Sequence, residues 1–363
     1  MSRDDEKIAE LRDRIQRPNF INIVGYSEEK AHSGFLKWLL EIPGLGARVA
    51  ADLWNPAASD AAHLDPSVIS TVVAQREWKV GGRALDLYVQ LVMRDGGARH
   101  LFCEFKVDGT LGYINQARQL REDSRSKLPG EDHAYVWFAL GGARFWDSPP
   151  DWHQVGPTEF LELLARLDVS GDTAHSLVRQ YREALELEIL RGEVAHPSLE
   201  NQDEDLGFRG RDLWYAAYDR LRRYLAEPEE WSIYSGVRNP VLAHYAAWKD
   251  PRLKLPVGKL GYELNWNRFV AKTVWNKGAQ SATALRQLLD TLWAEWRSSD
   301  LATRYSNARK GQRRKAEEVS TLLSVKLDLD DLAQAARHVN ELSQPVRRML
   351  AETAAAYRRS AST

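Results

Sequence analysis

The first part of the chain places apolar residues at helical spacing. Apolar side chains recur every three or four positions in residues 4–17 and again in 28–40, which predicts two amphipathic helices. Ser27 is expected to cap the second helix. This prediction places Glu29 and His32 in the first turns of that helix.

The next part of the chain has the pattern of strands. The runs VISTVVAQREWKV, RALDLYVQLVM and HLFCEFKV are rich in β-branched and aromatic residues, and they are separated by a glycine pair and by the turn sequence RDGGAR. We therefore predict a meander of three strands over residues 68–107. A helical segment near 113–123 and the short apolar run AYVWFAL follow. The predicted order is helix, three strands, helix, strand, which is typical of an α/β fold.

The second half of the chain has a different organisation. Residues 158–190 have helical periodicity, and a polar stretch without periodicity follows, which predicts a domain boundary near 195–207. Beyond it the pattern predicts a helix at 212–225, strands in KLGYELNW and RFVAKTVW, and two helices near 281–297 and 330–357. We therefore divide the chain into a first domain, residues 1–195, and an accessory α+β domain, residues 205–363.

Composition narrows the class of protein. Hydrophobic residues make up 44% and charged residues 28% of the 363 positions, as in ordinary globular domains. The sequence contains no apolar run of membrane-spanning length and no signal-like start, so we expect a cytoplasmic protein without a membrane partner. Cys103 is the only cysteine, which excludes an internal disulfide and a multi-thiolate metal site. The net charge of −1 means that any affinity for nucleic acid must come from local patches.

Three charged residues stand within the predicted strands. Glu104 and Lys106 are two positions apart, so their side chains point to the same face of the sheet. A hairpin through the RDGGAR turn would bring Asp86 of the preceding strand beside them. Charged groups in apolar strands are costly to desolvate unless they are paired or bind a metal. A solvent-facing strip of harmless charges is the alternative interpretation, because an E-x-K triplet is common by chance.

The segments around these residues resemble a known family. GRALDLYVQL, HLFCEFKVDG and NQARQL together resemble the PD-(D/E)xK nuclease superfamily, although no proline precedes Asp86. The resemblance implies that Asp86 and Glu104 bind the metal and that Lys106 orients or activates the attacking water. It also implies a catalytic role for Gln116 of the following helix, for which Gln119 is a competing candidate.

An upstream segment extends this resemblance. SEEKAHSGFLKWLLE is similar to the first helix of one bacterial branch of the superfamily, which selects Glu29 as a further metal ligand. The resemblance covers residues 20–190, about half of the chain. It implies a restriction-endonuclease-like core, with a central mixed sheet flanked by helices, and Mg²⁺ as the cofactor with Mn²⁺ able to substitute. It further implies DNA as the substrate, a role in restriction, phage defence or repair, and a homodimer.

A basic segment in the second domain is the best candidate for binding phosphates. The stretch LATRYSNARKGQRRKA holds six Lys or Arg and no acid. The expected phosphate contacts come from Arg309, Lys310, Arg313 and Arg314, and Tyr305 could add a stacking surface. A solvated basic turn between helices is the alternative. His32 also has two interpretations, since it could contact phosphate or pack inside the domain.

The sequence therefore predicts a metal-dependent nuclease that acts on DNA. Two alternatives stay open. One is a catalytically silent nucleic-acid-binding or scaffold protein on the same fold, and the other is a nuclease that acts on RNA, because readout of the 2′-hydroxyl has no linear signature.

Overall fold

The structure is a computed structural model with two compact units. The residues that it describes are 3–17, 19–58, 63–107, 114–130, 132–141, 151–169, 171–202, 205–208, 212–235, 240–312 and 317–361. The first unit comprises residues 1–194 and 201–213, and the second comprises 195–200 and 214–363. This division falls in the same part of the chain as the predicted boundary near 195–207.

The first unit is an α/β structure. Its helices are α1 (Arg3–Ile15), α2 (Phe20–Val24), α3 (Glu29–Glu41), α4 (Gly46–Ala57), α5 (Ile114–Lys127), α6 (Pro157–Ala165) and α7 (Asp172–Val194). Its strands are β1 (Ile69–Val80), β2 (Arg83–Met93), β3 (Ala98–Lys106), β4 (Asp132–Ala139) and β5 (His153–Val155). The predicted helix, three strands, helix and strand are present as α3, β1 to β3, α5 and β4, but α4, which was not predicted, lies between α3 and β1.

The five strands form one mixed sheet in the order β1-β2-β3-β4-β5. Strands β1, β2 and β3 are an antiparallel meander, as predicted, whereas β4 runs parallel to β3 and β5 runs parallel to β4. A parallel neighbour requires a crossover, and α5 lies in the connection from β3 to β4. The parallel pair is covered on both faces, since every residue of β3 from His100 onward and every residue of β4 from Ala134 onward is buried.

Two apolar layers enclose this sheet. Leu87, Val89 and Cys103 belong to a large core with side chains of α3, α4, α6 and α7. Phe102 and Trp137 belong to a second core with side chains of α5. The charged residues of β2 and β3 are therefore set into an otherwise apolar part of the molecule.

One helical prediction in this unit was too simple. The stretch 158–190 is not a single helix but two, α6 and α7, separated by a short non-helical segment. Gly171 in that segment has φ of 94°, a conformation that glycine adopts at no steric cost. The helical periodicity on either side hid this break.

The second unit is built on an antiparallel sheet. Its helices are α8 (Asp212–Arg222), which belongs to this unit from Trp214 onward, α9 (Tyr245–Lys249), α10 (Ala282–Arg297), α11 (Asp300–Arg304) and α12 (Leu332–Ala361). Its strands are β6 (Trp231–Ser235), β7 (Pro240–His244), β8 (Lys254–Leu255), β9 (Gly258–Asn265), β10 (Arg268–Trp275), β11 (Arg309–Lys310) and β12 (Val319–Lys326). The sheet order is β11-β12-β10-β9-β7-β6, and β8 pairs with β9.

Buried tryptophans form part of the core of this unit. Trp231, Trp275 and Trp296 are each exposed by 3% or less, which favours the packed aromatic core over base stacking for these three residues. Of the seven strands, only β9 and β10 were predicted, and β6, β7, β8, β11 and β12 were not. All five residues of β7 are buried, so it lacks the alternation that marks a strand, and a bulge opposite β10 interrupts the pattern of β12. Within the described residues, none of the helices has the length and apolar character that crossing a membrane requires.

Candidate active site

The side chains of Asp86 and Glu104 meet across two adjacent strands. Leu87 of β2 pairs with Cys103 of β3, so the next positions along the ladder are Asp86 and Glu104. The backbone N–H of Asp86 lies 3.4 Å from Glu104 Oε2, and the N–H of Phe105 donates to Asp86 Oδ2 at 2.8 Å. Each carboxylate of the antiparallel hairpin is therefore contacted by a backbone N–H of the opposite strand.

Lys106 joins β3 to α3 at this point. Its Nζ lies 3.0 Å from Glu104 Oε1 and 3.2 Å from Glu29 Oε1, and it donates to the carbonyl oxygen of Phe105 at 2.8 Å. Glu104 and Lys106 are exposed by only 2% and 6%. An ion pair that is this well buried is costly to desolvate, so its presence calls for compensation by many contacts or by function.

Helix α5 contributes a single side chain to the cluster. Gln116 Nε2 donates to Glu104 Oε1 at 2.6 Å. Gln119, the competing candidate, is exposed and accepts a hydrogen bond from Arg83 at 3.0 Å instead. The geometry thus places Gln116 beside the carboxylates and Gln119 away from them.

Glu29 reaches the cluster from the first turn of α3. The prediction that Ser27 caps this helix was wrong, because Glu28 occupies the N-cap position and makes no side-chain capping bond. The N–H of Glu28 instead bonds the carbonyl of Gly25 at 3.0 Å, in a tight turn that ends at the helix. The positive end of the helix dipole favours a carboxylate at Glu29. This carboxylate is half-exposed, whereas Glu104 is buried.

Burial and mutual repulsion perturb the two strand carboxylates. Desolvation, followed by the charge of Asp86, raises the pKa of Glu104 from 4.5 to about 7. Burial also raises the pKa of Asp86, although Lys106 opposes this shift. For Lys106 burial acts in the other direction, but the combined charges of Glu104, Asp86 and Glu29 outweigh it and raise the pKa of the ammonium. The site therefore holds more negative charge than one lysine satisfies easily.

His32 is an internal residue and does not face the cluster. It is fully buried, its Nδ1 lies 2.5 Å from the hydroxyl of Tyr181, and its Nε2 lies 2.6 Å from the carbonyl oxygen of Tyr26. Both ring nitrogens are thus engaged within the unit. The structure supports the packing interpretation of His32 over contact with phosphate.

Two residues that border this site could not be predicted from the sequence. Glu77 of β1 lies between the pairs Arg76–Leu87 and Trp78–Leu85, opposite Asp86, and has φ of 52°. A left-handed conformation is strained for glutamate, and such strain is concentrated at functional sites. Its carboxylate pairs with Lys30 at 2.9 Å. Arg76 places a buried Nε in this region, without a hydrogen-bond partner among the described residues.

A second cluster of metal-ligating types lies in the other unit. Among the described residues, only Glu227, Glu230 and His244 bring three such atoms within 4.8 Å of one another. The oxygens of Glu29, Asp86 and Glu104 are spread more widely, with Lys106 between two of these carboxylates. The spacing of Glu227, Glu230 and His244 along the chain does not match the H-E-x-x-H motif of zinc enzymes.

The hydrogen bonding of His244 opposes metal binding at this second cluster. Its Nδ1 accepts the N–H of Ala247 at 3.1 Å, so in the neutral ring Nε2 carries the proton and faces Glu230 Oε2 at 3.2 Å. A metal on Nε2 would force the proton onto Nδ1 and remove the acceptor of Ala247. We therefore interpret the cluster as a structural histidine beside two acids.

This histidine should make the second unit sensitive to acid. Burial, followed by the charge of Arg347, lowers the pKa of His244 from 6.5 to about 4. The unfolded chain then binds more protons than the folded chain between about pH 4 and 6.5, so stability falls as the pH drops through this window. The loss should approach about 3 kcal/mol. In urea titrations, His244→Gln should flatten the pH dependence of the stability of the second unit, and the matched change is made at His63, an exposed residue of the first unit. An unchanged slope in His244→Gln would contradict this account.

The structure describes only part of the basic segment. Arg309 is exposed, and Lys310 forms an ion pair with Asp290 at 2.5 Å. Arg313 and Arg314 lie outside the described residues. Tyr305 is buried, and its hydroxyl contacts His338 at 3.0 Å and Glu341 at 2.9 Å, so the predicted stacking role of this residue was wrong.

Comparison of the chain with family models, with curated proteins and with solved structures found no match.

Proposed function

We propose that this protein is a metal-dependent nuclease that hydrolyses phosphodiester bonds in DNA at the cluster of Asp86, Glu104 and Lys106. The observation that carries the proposal is the convergence of charged side chains from three elements and an amide from a fourth. Glu29 of α3, Asp86 of β2, the β3 pair and Gln116 of α5 all bond within this one cluster. Desolvation of a buried ion pair can cost more than its attraction returns, so stability alone is a weak reason for this cluster.

The arrangement of the first unit supports the restriction-endonuclease-like part of this proposal. The family resemblance implies a central mixed sheet flanked by helices, and the five-stranded sheet of the first unit is mixed and lies among helices. The candidate residues lie where β2 and β3 run side by side and where α5 follows. A role in restriction, phage defence or repair, and a homodimeric state, rest on that resemblance alone and remain part of the proposal.

The donor atoms suit a hard divalent cation. Glu29, Asp86 and Glu104 offer carboxylate oxygens, which Mg²⁺ and Mn²⁺ prefer, and the raised pKa of Glu104 shows that negative charge there needs a partner. Such a cation would neutralise charge on the phosphate and lower the pKa of a bound water. Glu29 is half-exposed, so its carboxylate can turn from Lys106 toward a cation.

The other residues of the cluster have roles that their chemistry suggests. The ammonium of Lys106 is held by two carboxylates, and it can orient an attacking water or stabilise charge that develops on the phosphate. Gln116 carries an amide that holds Glu104 in position and has a carbonyl oxygen available for a water. These roles require no movement of β2 or β3.

A catalytically silent binding protein is the alternative from another class. It would have no use for a buried Glu104 with a raised pKa, because replacing the whole buried ion pair by well-packed hydrophobic residues is often neutral or stabilising. A nuclease acting on RNA uses the same cluster, because the phosphodiester is the same. The experiment below separates both alternatives from the proposal.

The test is an incubation of the purified full chain with labelled DNA and labelled RNA. We expect cleavage of DNA in Mg²⁺ or Mn²⁺ and none in EDTA. Cleavage of RNA alone would select the second alternative. Binding without cleavage in either metal, under conditions in which the chain is folded, would overturn the proposal in favour of the silent protein.

A further inference from the structure

The second unit has an open groove along one end of its sheet. Its volume is about 950 Å³, near the upper end of the usual range for ligand pockets. Strands β10, β11 and β12 line it through Arg268, Lys272, Arg309 and Thr321, and the loop between β9 and β10 closes one end with Trp266. The lining is mostly polar, which is unlike the buried core of the same sheet.

The alternation of side chains on β10 explains this polarity. Arg268 and Lys272 point to one face, and both are partly exposed. Phe269, Ala271 and Thr273 point to the other face, and all three are buried. The sheet therefore keeps an apolar face for its core and presents a polar face at the groove.

The lining of the groove carries four basic side chains and one acid, Glu317, so its charges favour an anion. Lys272 is paired with Glu263, and Lys310 with Asp290. Arg268 and Arg309, by contrast, form no ion pair with any residue in the described part of the chain. Two guanidinium groups thus remain for an external partner, and their planar donors match the oxygens of a phosphate.

The groove also contains an aromatic residue in a strained conformation. Trp266 is the first residue of the two-residue loop between β9 and β10, and its φ is 52°. Hairpin loops usually place glycine where φ is positive, so a bulky residue here costs stability. Its carbonyl accepts the hydroxyl of Tyr218 at 2.9 Å, and its ring meets Trp214 edge-on at 5.0 Å. The ring is only partly buried and lines the groove.

We propose that this groove binds a single-stranded segment of nucleic acid. Arg268 and Arg309 contact its phosphates, and Trp266 packs against an unpaired base. A base inside a duplex has both faces covered by its neighbours, whereas an unpaired base can offer a face to the ring of Trp266. The proposal rests on the proposed function, which supplies nucleic acid as the partner. It adds a binding site in the other unit and a preference for single strands.

Binding can be measured without cleavage in the full chain carrying Glu104→Gln, in EDTA. Fluorescence anisotropy would follow a labelled single-stranded DNA, the same sequence as RNA, and the duplex. We expect tighter binding of the single strands than of the duplex. Adding Arg268→Ala and Arg309→Ala together should weaken single-strand binding and flatten the slope of log affinity against log salt by roughly 1 to 1.5 units, for two lost phosphate contacts.

Trp266→Gly provides a second, independent variant. Glycine accepts a positive φ without strain, so this change removes the ring and leaves the loop conformation favourable. Single-strand affinity should fall about 5- to 150-fold, the range found for loss of one base–aromatic stack.

The matched control for the variant with Arg268→Ala and Arg309→Ala is Arg286→Ala with Arg297→Ala, which removes the same charge from exposed positions of α10. Thermal unfolding checks that each variant is folded.

The outcomes separate this inference from the proposed function. Equal affinity of the groove variant and the control variant would overturn the inference, and so would a parent chain that binds no single strand. A duplex bound more tightly than a single strand, with no effect of Trp266→Gly, would overturn the single-strand preference. Metal-dependent cleavage by the chain with intact Glu104 is scored separately, so its absence counts against the nuclease and not against the groove.

Discussion

Replacing Glu104 by glutamine should abolish metal-dependent cleavage of DNA and leave the first unit folded. The amide keeps the shape of the side chain and can still contact Gln116 and Lys106, but it loses the negative charge that a divalent cation needs. We expect a fall in rate of at least about 10³-fold, which corresponds to about 4 kcal/mol of transition-state stabilisation. Asp86→Asn should have a similar effect. Single-turnover cleavage at saturating DNA is the measurement.

The control for this pair is Glu122→Gln. Glu122 lies on α5, as Gln116 does, but its side chain is exposed. Its loss should leave the rate within the error of the assay. Near-normal cleavage by a folded Glu104→Gln or Asp86→Asn protein would show that the chemistry occurs elsewhere.

Glu104→Gln should also change how the free energy of unfolding depends on pH. The folded-state pKa of Glu104, about 7, lies above its ordinary value of 4.5, so the folded chain binds more protons than the unfolded chain between these values. Glu104 therefore makes stability fall as the pH rises through this window. Glu104→Gln should remove that fall, which denaturant titrations at several pH values would detect even in the absence of metal and DNA.

Replacing Lys106 by methionine should separate catalysis from metal binding. Methionine fills a similar volume without charge, so the variant loses the ammonium that would orient water or stabilise the phosphate. The rate should fall by about 10²- to 10³-fold, the cost of one such electrostatic group. Affinity for Mn²⁺ should be kept or increased, because the oxygens of Glu29 and Glu104 no longer pair with Lys106.

Calorimetric titration with Mn²⁺ measures the second half of this prediction. Lys106→Arg is the informative companion, since it keeps the charge but replaces a compact ammonium by a planar group with a different geometry. It should retain little activity. Loss of Mn²⁺ affinity in Lys106→Met would contradict the division of roles between Lys106 and the carboxylates.

Local pattern was sufficient to predict the part of the fold that holds the candidate site. The meander of β1 to β3 follows from two glycine-rich turns and from strand-like runs, and these are properties of short segments. The approach of Asp86 to Glu104 follows from the length of the hairpin, because register in a hairpin is set by its turn. The contacts of Glu29 with Lys106 and of Gln116 with Glu104 needed the family resemblance, since distant helices have no local spacing to a strand.

Other features depend on tertiary packing and could not be predicted from the local sequence pattern. The positive φ of Glu77 occurs within the pairing of β1 with β2. A glutamate in a strand-like run gives no indication of such a conformation. Buried β7 has no alternation, and Tyr305 is buried because it contacts His338 and Glu341 of α12. The segment around Tyr305 therefore looked more open in sequence than its structure is.

The only thiol of the chain, Cys103, lies where its chemical labelling can report on the candidate active site. Cys103 lies in β3 next to Glu104, has no exposed surface, and burial raises the pKa of its thiol well above the ordinary value. A thiol reagent can attack it only when the strand that carries the candidate catalytic residues is opened to solvent, since the reactive form is the thiolate. The rate of labelling in native buffer would thus report the free energy of opening this one sheet. The second unit has no thiol, so thiol labelling would not detect the unfolding of that unit. The intact protein therefore carries a built-in reporter of the local stability of its candidate active site.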